Sequence, residues 1–250
     1  MRKYGLIGKN INYSFSGKYF TEKFASENIP AEYLIFDIDE ISEFEKIITK
    51  PELQGLNVTI PYKESVMAFL DNIDSEAAKI GAINTIKIHK GKTLGFNTDV
   101  YGFEKAISPL LENHHKNALI LGTGGASKAV KYVLEKRGIE FKMISRKASK
   151  NRLSYAQVSE EIIKKNFIII NCTPLGTFPD TESFPDIPYH YLTNKHLLFD
   201  LTYNPAETKF LKLGKKQGAQ TENGLNMLKF QAEKAWEIWN NRVSYSKIHS

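Results

Sequence analysis

Ala118-Leu119-Ile120-Leu121-Gly122-Thr123-Gly124-Gly125-Ala126-Ser127 is the stretch that governs the reading of the fold. Its four leading apolar residues predict a short strand of the kind buried on both faces of a sheet. Glycines follow at once, Lys128 to Arg137 predicts a helix ended by Gly138, and Phe141 to Ser145 predicts another strand. Strand, glycine turn, helix, strand is the order of a dinucleotide-binding unit, in which a pyrophosphate rests on the N–H groups at the helix start. Gly122, Thr123, Gly124, Gly125 and Ala126 are therefore candidate phosphate contacts. Glycines serve many turns, and it is the placement between an apolar strand and a helix that gives these their meaning.

The end of the following strand speaks to the choice of nucleotide. An NAD site wants an acidic residue there for the ribose hydroxyl, whereas this chain has Ser145-Arg146-Lys147 and no Asp or Glu between Glu140 and Glu160. Arg146 can lie against the adenine and bind a ribose phosphate, with Lys147 adding charge, so NADP is the expected cofactor. Further on, Phe167 to Ile170 predicts a buried strand running into the turn Asn171 to Gly176, at the carboxyl end where such sheets bind ligands. Cys172 in that turn has no evident activating histidine and reads as packing against the cofactor cleft. Thr177 to Asn194, rich in proline and polar residues, predicts a long loop with the composition of a flexible cover. Then come a strand at His196 to Leu201, a helix at Ala206 to Gln217, and a long amphipathic helix at Gly224 to Arg242 with Trp236 and Trp239 as core residues.

Upstream, signals alternate from a strand at Tyr4 to Ile7 and a helix at Gly17 to Glu27 to a strand at Tyr33 to Phe36 and a helix at Ile41 to Thr49. Such alternation predicts βαβ units and a largely parallel sheet. A helix near Ser75 to Ile80 precedes a hairpin of Ala82 to His89 and Thr93 to Phe96 about Gly91. A helix from Val100 to Leu111 then leads into a linker at Glu112 to Lys116.

The segment Asn57-Val58-Thr59-Ile60-Pro61-Tyr62-Lys63 stands out within this half. Val58 and Ile60 predict one strand face and Asn57 and Thr59 the other, with Gly55 and Pro61 punctuating the ends. Pro61 fits the first turn of a helix over Tyr62 to Leu70, which puts Lys63 where a cation opposes the helix dipole by roughly 0.3–1 kcal/mol. Local rules are broken where function demands it, and a lysine so placed can exchange a proton with a substrate oxygen. A lone lysine is most often an ordinary surface residue. Company from elsewhere in the chain gives this one its interest.

The 250 residues are 42% hydrophobic and 25% charged, enough for one large or two small domains, and two are expected. No apolar run approaches membrane-spanning length and the first residues lack a signal-peptide core, so a cytoplasmic protein is expected. One cysteine forms no intrachain disulfide, in keeping with a reducing compartment. The net charge of +6 is spread over scattered lysines without interleaved aromatics, which argues against nucleic acid and for small anionic ligands. His114-His115 reads as a surface loop rather than a metal site.

Together these pieces resemble the shikimate dehydrogenase family across nearly the whole chain. The resemblance rests on an ordered series: Ser14-Phe15-Ser16, Asn57 to Lys63, Gly81-Ala82-Ile83-Asn84-Thr85, Asn97-Thr98-Asp99, Gly122 to Ala126, Asp200-Leu201-Thr202-Tyr203-Asn204-Pro205, and Gly224-Leu225-Asn226-Met227-Leu228 with Gln231. It implies an α/β protein of two domains: a shikimate-binding catalytic domain at 1–99 completed by 224–250, and a Rossmann-like NADP domain at 100–223, with the substrate in the cleft between them. It implies that Ser14 and Ser16 bind the substrate carboxylate, assisted by Tyr203. By itself Ser16 reads as a helix cap, and Asp99 as the cap of the following helix. Thr59, Asn84, Asp99 and Gln231 would bind ring hydroxyls, and Lys63 with Asp99 would form the catalytic dyad. Thr173, Leu201 and Gly224 complete the expected cofactor contacts. The implied reaction is hydride transfer from NADPH to 3-dehydroshikimate with a proton delivered to the oxygen, and no metal or obligatory protein partner is expected. Three departures stand out: Gly17 and Phe20 where the family usually has proline and histidine, and Val100 where glycine is common.

Other readings are an NAD-using quinate/shikimate dehydrogenase, a methylene-tetrahydrofolate dehydrogenase, and a dinucleotide-binding regulatory protein without turnover. The missing acidic residue after Phe141 to Ser145 argues against the first. The second would not explain Ser14, Ser16 and Asn97 to Asp99, and the intact Lys63 and Asp99 weigh against the third.

Overall fold

The computed structural model describes residues 1–11 and 14–241, so Arg242, the expected end of the last helix, lies outside the described residues. The chain divides into two compact units, one of Met1–Tyr101 with the residues from Gln231 onward, the other of Gly102–Phe230.

The first unit contains β1 (Arg2–Gly8), α1 (Phe15–Ser26), β2 (Ala31–Asp37), α2 (Phe44–Ile48), β3 (Leu53–Val58), β4 (Asn72–Ile73), α3 (Ser75–Ile80), β5 (Thr85–His89) and β6 (Lys92–Phe96). It ends within α4 (Asp99–Ile107). Its sheet has the order β2-β1-β3-β5-β6-β4. β1 pairs in parallel with β2 and β3, while β5 pairs antiparallel with β3 and β6, so the sheet is mixed rather than largely parallel. The cause is the tight turn at Lys90 and Gly91, both at positive φ, since strands joined by so short a turn can only run antiparallel.

The second unit contains β7 (Asn117–Leu121), α5 (Gly125–Lys136), β8 (Glu140–Ser145), β9 (Arg152–Ser154), α6 (Glu160–Lys165), β10 (Ile168–Asn171), β11 (Leu197–Asp200), α7 (Lys209–Lys216) and β12 (Gln220–Glu222). The chain returns to the first unit within α8 (Leu225–Asn240). Every pairing in the sheet order β12-β11-β10-β7-β8-β9 is parallel. Ala118 to Leu121, Ile168 to Ile170 and Leu197 to Phe199 are fully buried, as strands covered on both faces must be.

Helix α5 begins three residues earlier than the sequence pattern predicts. The Ser127 N–H and hydroxyl both donate to the Gly124 carbonyl, at 3.0 and 2.6 Å, and so close a first turn from residues that look like loop formers. Strands β9 and β12 are too short for a periodicity. Helix α6 also escapes the pattern, because of its six residues only Ile163 is buried; its cap at Ser159 and the pairs Glu160–Lys164 and Glu161–Lys165 are the signals that could have found it. The stretch from Thr177 to Asn194 is not a free cover. Ile187, Tyr189 and Leu192 are buried with Leu198 and Phe210, and the Tyr189 hydroxyl donates to the Pro185 carbonyl at 2.7 Å, so apolar residues between the prolines pin the segment down. His114 lies partly exposed in a turn as expected, but His115 is buried, its Nδ1 accepting from the Glu112 N–H at 2.9 Å.

Gly55 does not punctuate a strand end but sits inside β3, opposite Lys87 of β5. A Cβ there would lie 2.3 Å from Trp239 Nε1, so the glycine is required by the indole that covers it. Trp239 donates to the Ile86 carbonyl at 3.0 Å and stacks on Tyr4 at 4.8 Å between centroids, in a cluster that includes Phe20, Phe24, Ala232 and Ala235. Lys87 secures the same helix, its ammonium donating to the carbonyls of Ile238, at 2.9 Å, and Asn241. A cation at that terminus also meets the negative end of the dipole. Gly55→Ala is expected to displace the indole and cost about 2–3 kcal/mol by overpacking, read as a lowered midpoint in urea unfolding; an unchanged midpoint would contradict this role. No helix among the described residues is long and apolar enough to cross a membrane.

Candidate active site

β3 ends at Val58, leaving Thr59 outside the strand and Ile60 exposed instead of sharing a face with buried Val58. The chain then turns, the Tyr62 N–H donating to the Thr59 carbonyl at 2.9 Å. The expected helix over Tyr62 to Leu70 is reduced to a 3-10 turn at Ser65–Phe69. The Met67 N–H, which an α-helix would give to the Lys63 carbonyl, donates instead to the Glu64 carbonyl at 3.2 Å, and the Lys63 carbonyl accepts the Ile83 N–H at 2.7 Å. The helix-dipole account of Lys63 therefore fails, and what fixes this lysine is a tertiary backbone bond.

That bond ties Lys63 to the segment carrying Asn84. The Lys63 ammonium lies 2.5 Å from Asp99 Oδ2, with both side chains largely buried. Asn84 Nδ2 donates to the other carboxylate oxygen at 2.8 Å and lies 3.4 Å from Gln231 Oε1. The asparagine is itself held by the Thr98 N–H, at 2.7 Å, and the Thr85 hydroxyl, at 3.1 Å, both donating to its Oδ1. Asp99 stands at the start of α4 but does not cap it. Asn97 Oδ1 accepts the Val100 N–H at 3.3 Å, which leaves the Asp99 carboxylate to Lys63 and Asn84. A carboxylate locked between an amine and an amide presents the amine in one direction, which is what directed proton transfer needs.

Ser14, not Ser16, caps α1: its hydroxyl accepts the Ser16 N–H at 3.2 Å. Ser16 is buried in the first turn beside the Tyr33 phenol, which burial holds un-ionised. Tyr33 donates to Asn57 Oδ1 at 2.8 Å, and Asn57 Nδ2 reaches the Asn84 carbonyl and Thr85 Oγ1, each at 3.3 Å. A hydrogen-bonded series thus links Tyr33, beside Ser16, to the lysine–aspartate pair through Asn57 and Asn84. Tyr33, Thr85 and Thr98 have no role that the sequence alone assigns, although Thr85 and Thr98 stand inside quoted motifs; Tyr33 sits in no motif and carries no signal. Phe20, one of the departures, is fully buried and stacks on Tyr33 at 4.8 Å.

Tyr203 and all the cofactor candidates belong to the second unit. Gly122 has φ +101, and a Cβ there would meet Thr173 Cγ2 at 2.9 Å, so the glycine turn lies close against the turn after β10. A Cβ on Gly124 would meet nothing within 4 Å, and the first turn of α5 carries no acidic side chain. The start of α5 is thus open beside Gly124 and free of negative side chains, which fits the pyrophosphate of a dinucleotide at the helix N-terminus. The Ser145 hydroxyl donates to the Lys147 carbonyl at 2.6 Å and shapes the basic turn. Arg146 and Lys147 are exposed, and no carboxylate pairs with either among the described residues, which fits a ribose phosphate. Gly224 lies against the backbone of Leu201: a Cβ there would stand 2.1 Å from the Leu201 carbonyl oxygen, so only glycine passes. Cys172 is half-buried with its thiol pushed well up by burial, which keeps it from acting as a nucleophile. No group of three or more His, Cys, Asp or Glu that could hold a metal occurs among the described residues.

A Rossmann-like unit with an open glycine turn, and a mixed-sheet unit with a buried lysine–aspartate pair, define a two-domain nucleotide-dependent dehydrogenase. The family profile described as the shikimate dehydrogenase substrate binding domain matches residues 6–86. The NADP(+) shikimate dehydrogenase of Methanococcus maripaludis is 41% identical over 94% of this chain and 90% of its own length. Among solved structures, shikimate dehydrogenase from Aquifex aeolicus superposes with a TM-score of 0.86 at 35% identity, covering 98% of this chain and 95% of that one. The Thermus thermophilus enzyme, solved in complex with NADP(H) and shikimate, gives 0.85 at 28% identity, with 96% and 94% covered. The chain belongs to the shikimate dehydrogenase family.

Proposed function

We propose that this protein catalyses the reversible NADPH-dependent reduction of 3-dehydroshikimate to shikimate. The observation that carries the reading is the buried Lys63–Asp99 pair at 2.5 Å, with Asn84 on the second carboxylate oxygen, in a chain of this family. Lys63 donates a proton to the ketone oxygen as it becomes a hydroxyl, and takes it back in the reverse direction. Asp99 orients the ammonium and accepts from the reacting hydroxyl. Thr59, Asn84 and Gln231 bind the remaining ring hydroxyls, while Ser14 and Ser16 bind the carboxylate. Bound NADPH supplies the hydride, and the residues around it supply alignment. Gly122 to Ala126 receive the pyrophosphate, Arg146 and Lys147 take the ribose phosphate, and Ser145, Thr173, Leu201 and Gly224 shape the edges of that site.

In this reading residues 1–99 with 224–250 form the shikimate-binding domain and 100–223 the NADP-binding one. The lone Cys172 supports a cytoplasmic setting. The test is shikimate-dependent reduction of NADP followed by absorbance, with NAD and quinate in parallel. Fast turnover with shikimate and NADP alone is the expected result. Turnover with quinate and NAD would move the chain to the broader enzyme, and tight NADP binding without turnover would overturn the catalytic reading.

A further inference from the structure

Asp200, the last residue of β11, is fully buried, and no lysine, arginine or histidine pairs with it among the described residues. Its Oδ1 accepts from Asn171 Nδ2 and the Thr202 N–H, each at 3.0 Å, and its Oδ2 accepts from the Thr208 hydroxyl at 2.6 Å. Three donors from three segments thus converge on one carboxyl. A shell of donors specifies an acceptor-only group, and an ionised carboxylate is that group; a neutral replacement brings its own protons into a shell already full of them.

Each donor belongs to a segment with work at the carboxyl end of the sheet. Asn171 uses its other side-chain atom, Oδ1, to accept the Thr173 N–H at 3.0 Å and the Thr173 hydroxyl at 2.6 Å, and Thr173 packs against Gly122 of the glycine turn. Thr202 lies beside the Thr177 hydroxyl at 3.1 Å, and its carbonyl accepts the Gly224 N–H at 3.0 Å. Thr208 caps α7. We infer that Asp200 is a positioning residue for the nucleotide: as an anion it fixes, through Asn171 and Thr202, the turns after β10 and β11 in the shape that receives the cofactor. This rests on the reading of the second unit as the NADP-binding one.

The ionised form is held at a cost. Burial pushes the Asp200 carboxyl up to about 6, against the pull of its hydrogen bonds to Thr208, Thr202 and Asn171. A carboxyl raised in the folded state contributes stability that is fully present below its ordinary value near 4 and is lost as pH rises through about 6. The ionisable neighbours do not relieve it. Cys172 and Tyr189 feel the carboxylate and are themselves pushed up, staying neutral. Of the charged residues flanking Thr208, Lys209 pairs with Glu182 and Glu207 with Lys215.

The experiment is equilibrium titration of the purified protein with NADP by calorimetry, wild type against Asp200→Asn, from pH 5 to pH 8. At pH 8 the variant is expected to bind about tenfold more weakly, the weight of one charge-assisted hydrogen bond. The ratio of the two dissociation constants should narrow toward pH 5, where the wild-type carboxyl also carries a proton; taking the ratio cancels the titration of the cofactor's own phosphate. Melting curves add a readout independent of the ligand, with the wild type gaining several degrees relative to the variant between pH 8 and pH 5. Equal affinity at pH 8, or a ratio that does not change with pH, overturns the inference. Should Asp200→Asn fail to fold, Asn171→Ala carries the test, because it cuts the link to Thr173 and leaves the carboxylate its other two donors; unchanged NADP affinity there overturns the inference too. Wild-type protein that binds no NADP would bring down the reading of the second unit as well, whereas tight wild-type binding with an unaffected variant removes this inference alone.

Discussion

Lys63→Ala is expected to lower kcat for shikimate oxidation by about 10³-fold while leaving the NADP dissociation constant within about twofold of wild type. In the proposed mechanism the lysine moves the proton, and it lies in the first unit, apart in sequence from every residue assigned to the nucleotide. Removing it also strips the buried Asp99 carboxylate of its cation and leaves it the Asn84 amide at 2.8 Å. Some loss of stability follows, so a melting curve belongs beside the kinetics. Steady-state rates with both substrates saturating, and calorimetric titration with NADP, separate chemistry from binding. Wild-type kcat in the variant would refute the role given to Lys63; a large loss of NADP affinity would mean the substitution had disturbed more than the proton path.

Arg146→Ala should weaken NADP by about 10–100-fold and NAD by less than about threefold, because a guanidinium on a phosphate contributes charge-assisted, geometrically matched hydrogen bonds that a ribose hydroxyl does not replace. Lys147 remains in the variant as a point charge and keeps the loss from being total. Among the described residues no carboxylate pairs with the arginine, so its guanidinium is available to a ligand without first breaking such an ion pair. Paired titrations with the two nucleotides decide the matter. Equal losses for both would show that Arg146 acts by stacking on the adenine they share and not by reading the phosphate.

What is legible in the sequence follows the range of the interactions involved. The second unit's strand, glycine turn, helix and basic turn are set by neighbouring residues, and they form where the pattern places them, apart from the early start of α5. The lysine–aspartate pair is legible only through its motifs. Nothing local brings Lys63 to Asp99; the hairpin of β5 and β6 and the bond from Ile83 to the Lys63 carbonyl do so. The same bond occupies the Lys63 carbonyl where the helix expected after Pro61 does not form. Gly55 misleads for a similar reason, since what demands a glycine there is the indole of Trp239, supplied from the far end of the chain. Tyr33 gives no sign of its importance, and the motif that Asp200 opens assigns it no role, because in both cases the role lies in hydrogen-bond partners that folding supplies.

The return of α8 to the first unit has a consequence for how the protein comes into being on the ribosome. Tyr4, Phe20 and Phe24 are made well before Ala232, Ala235 and Trp239, which are part of the surface that covers them. The second unit, contiguous from Gly102 to Phe230, can close as soon as it emerges, whereas the first must wait for the last helix with part of its aromatic core uncovered. At about 5–20 residues per second, the chain between Tyr101 and Gln231 takes on the order of 10 s to make. For that interval the earlier-born half is the one exposed to chaperones and to aggregation, and the later-born half is the first to be finished.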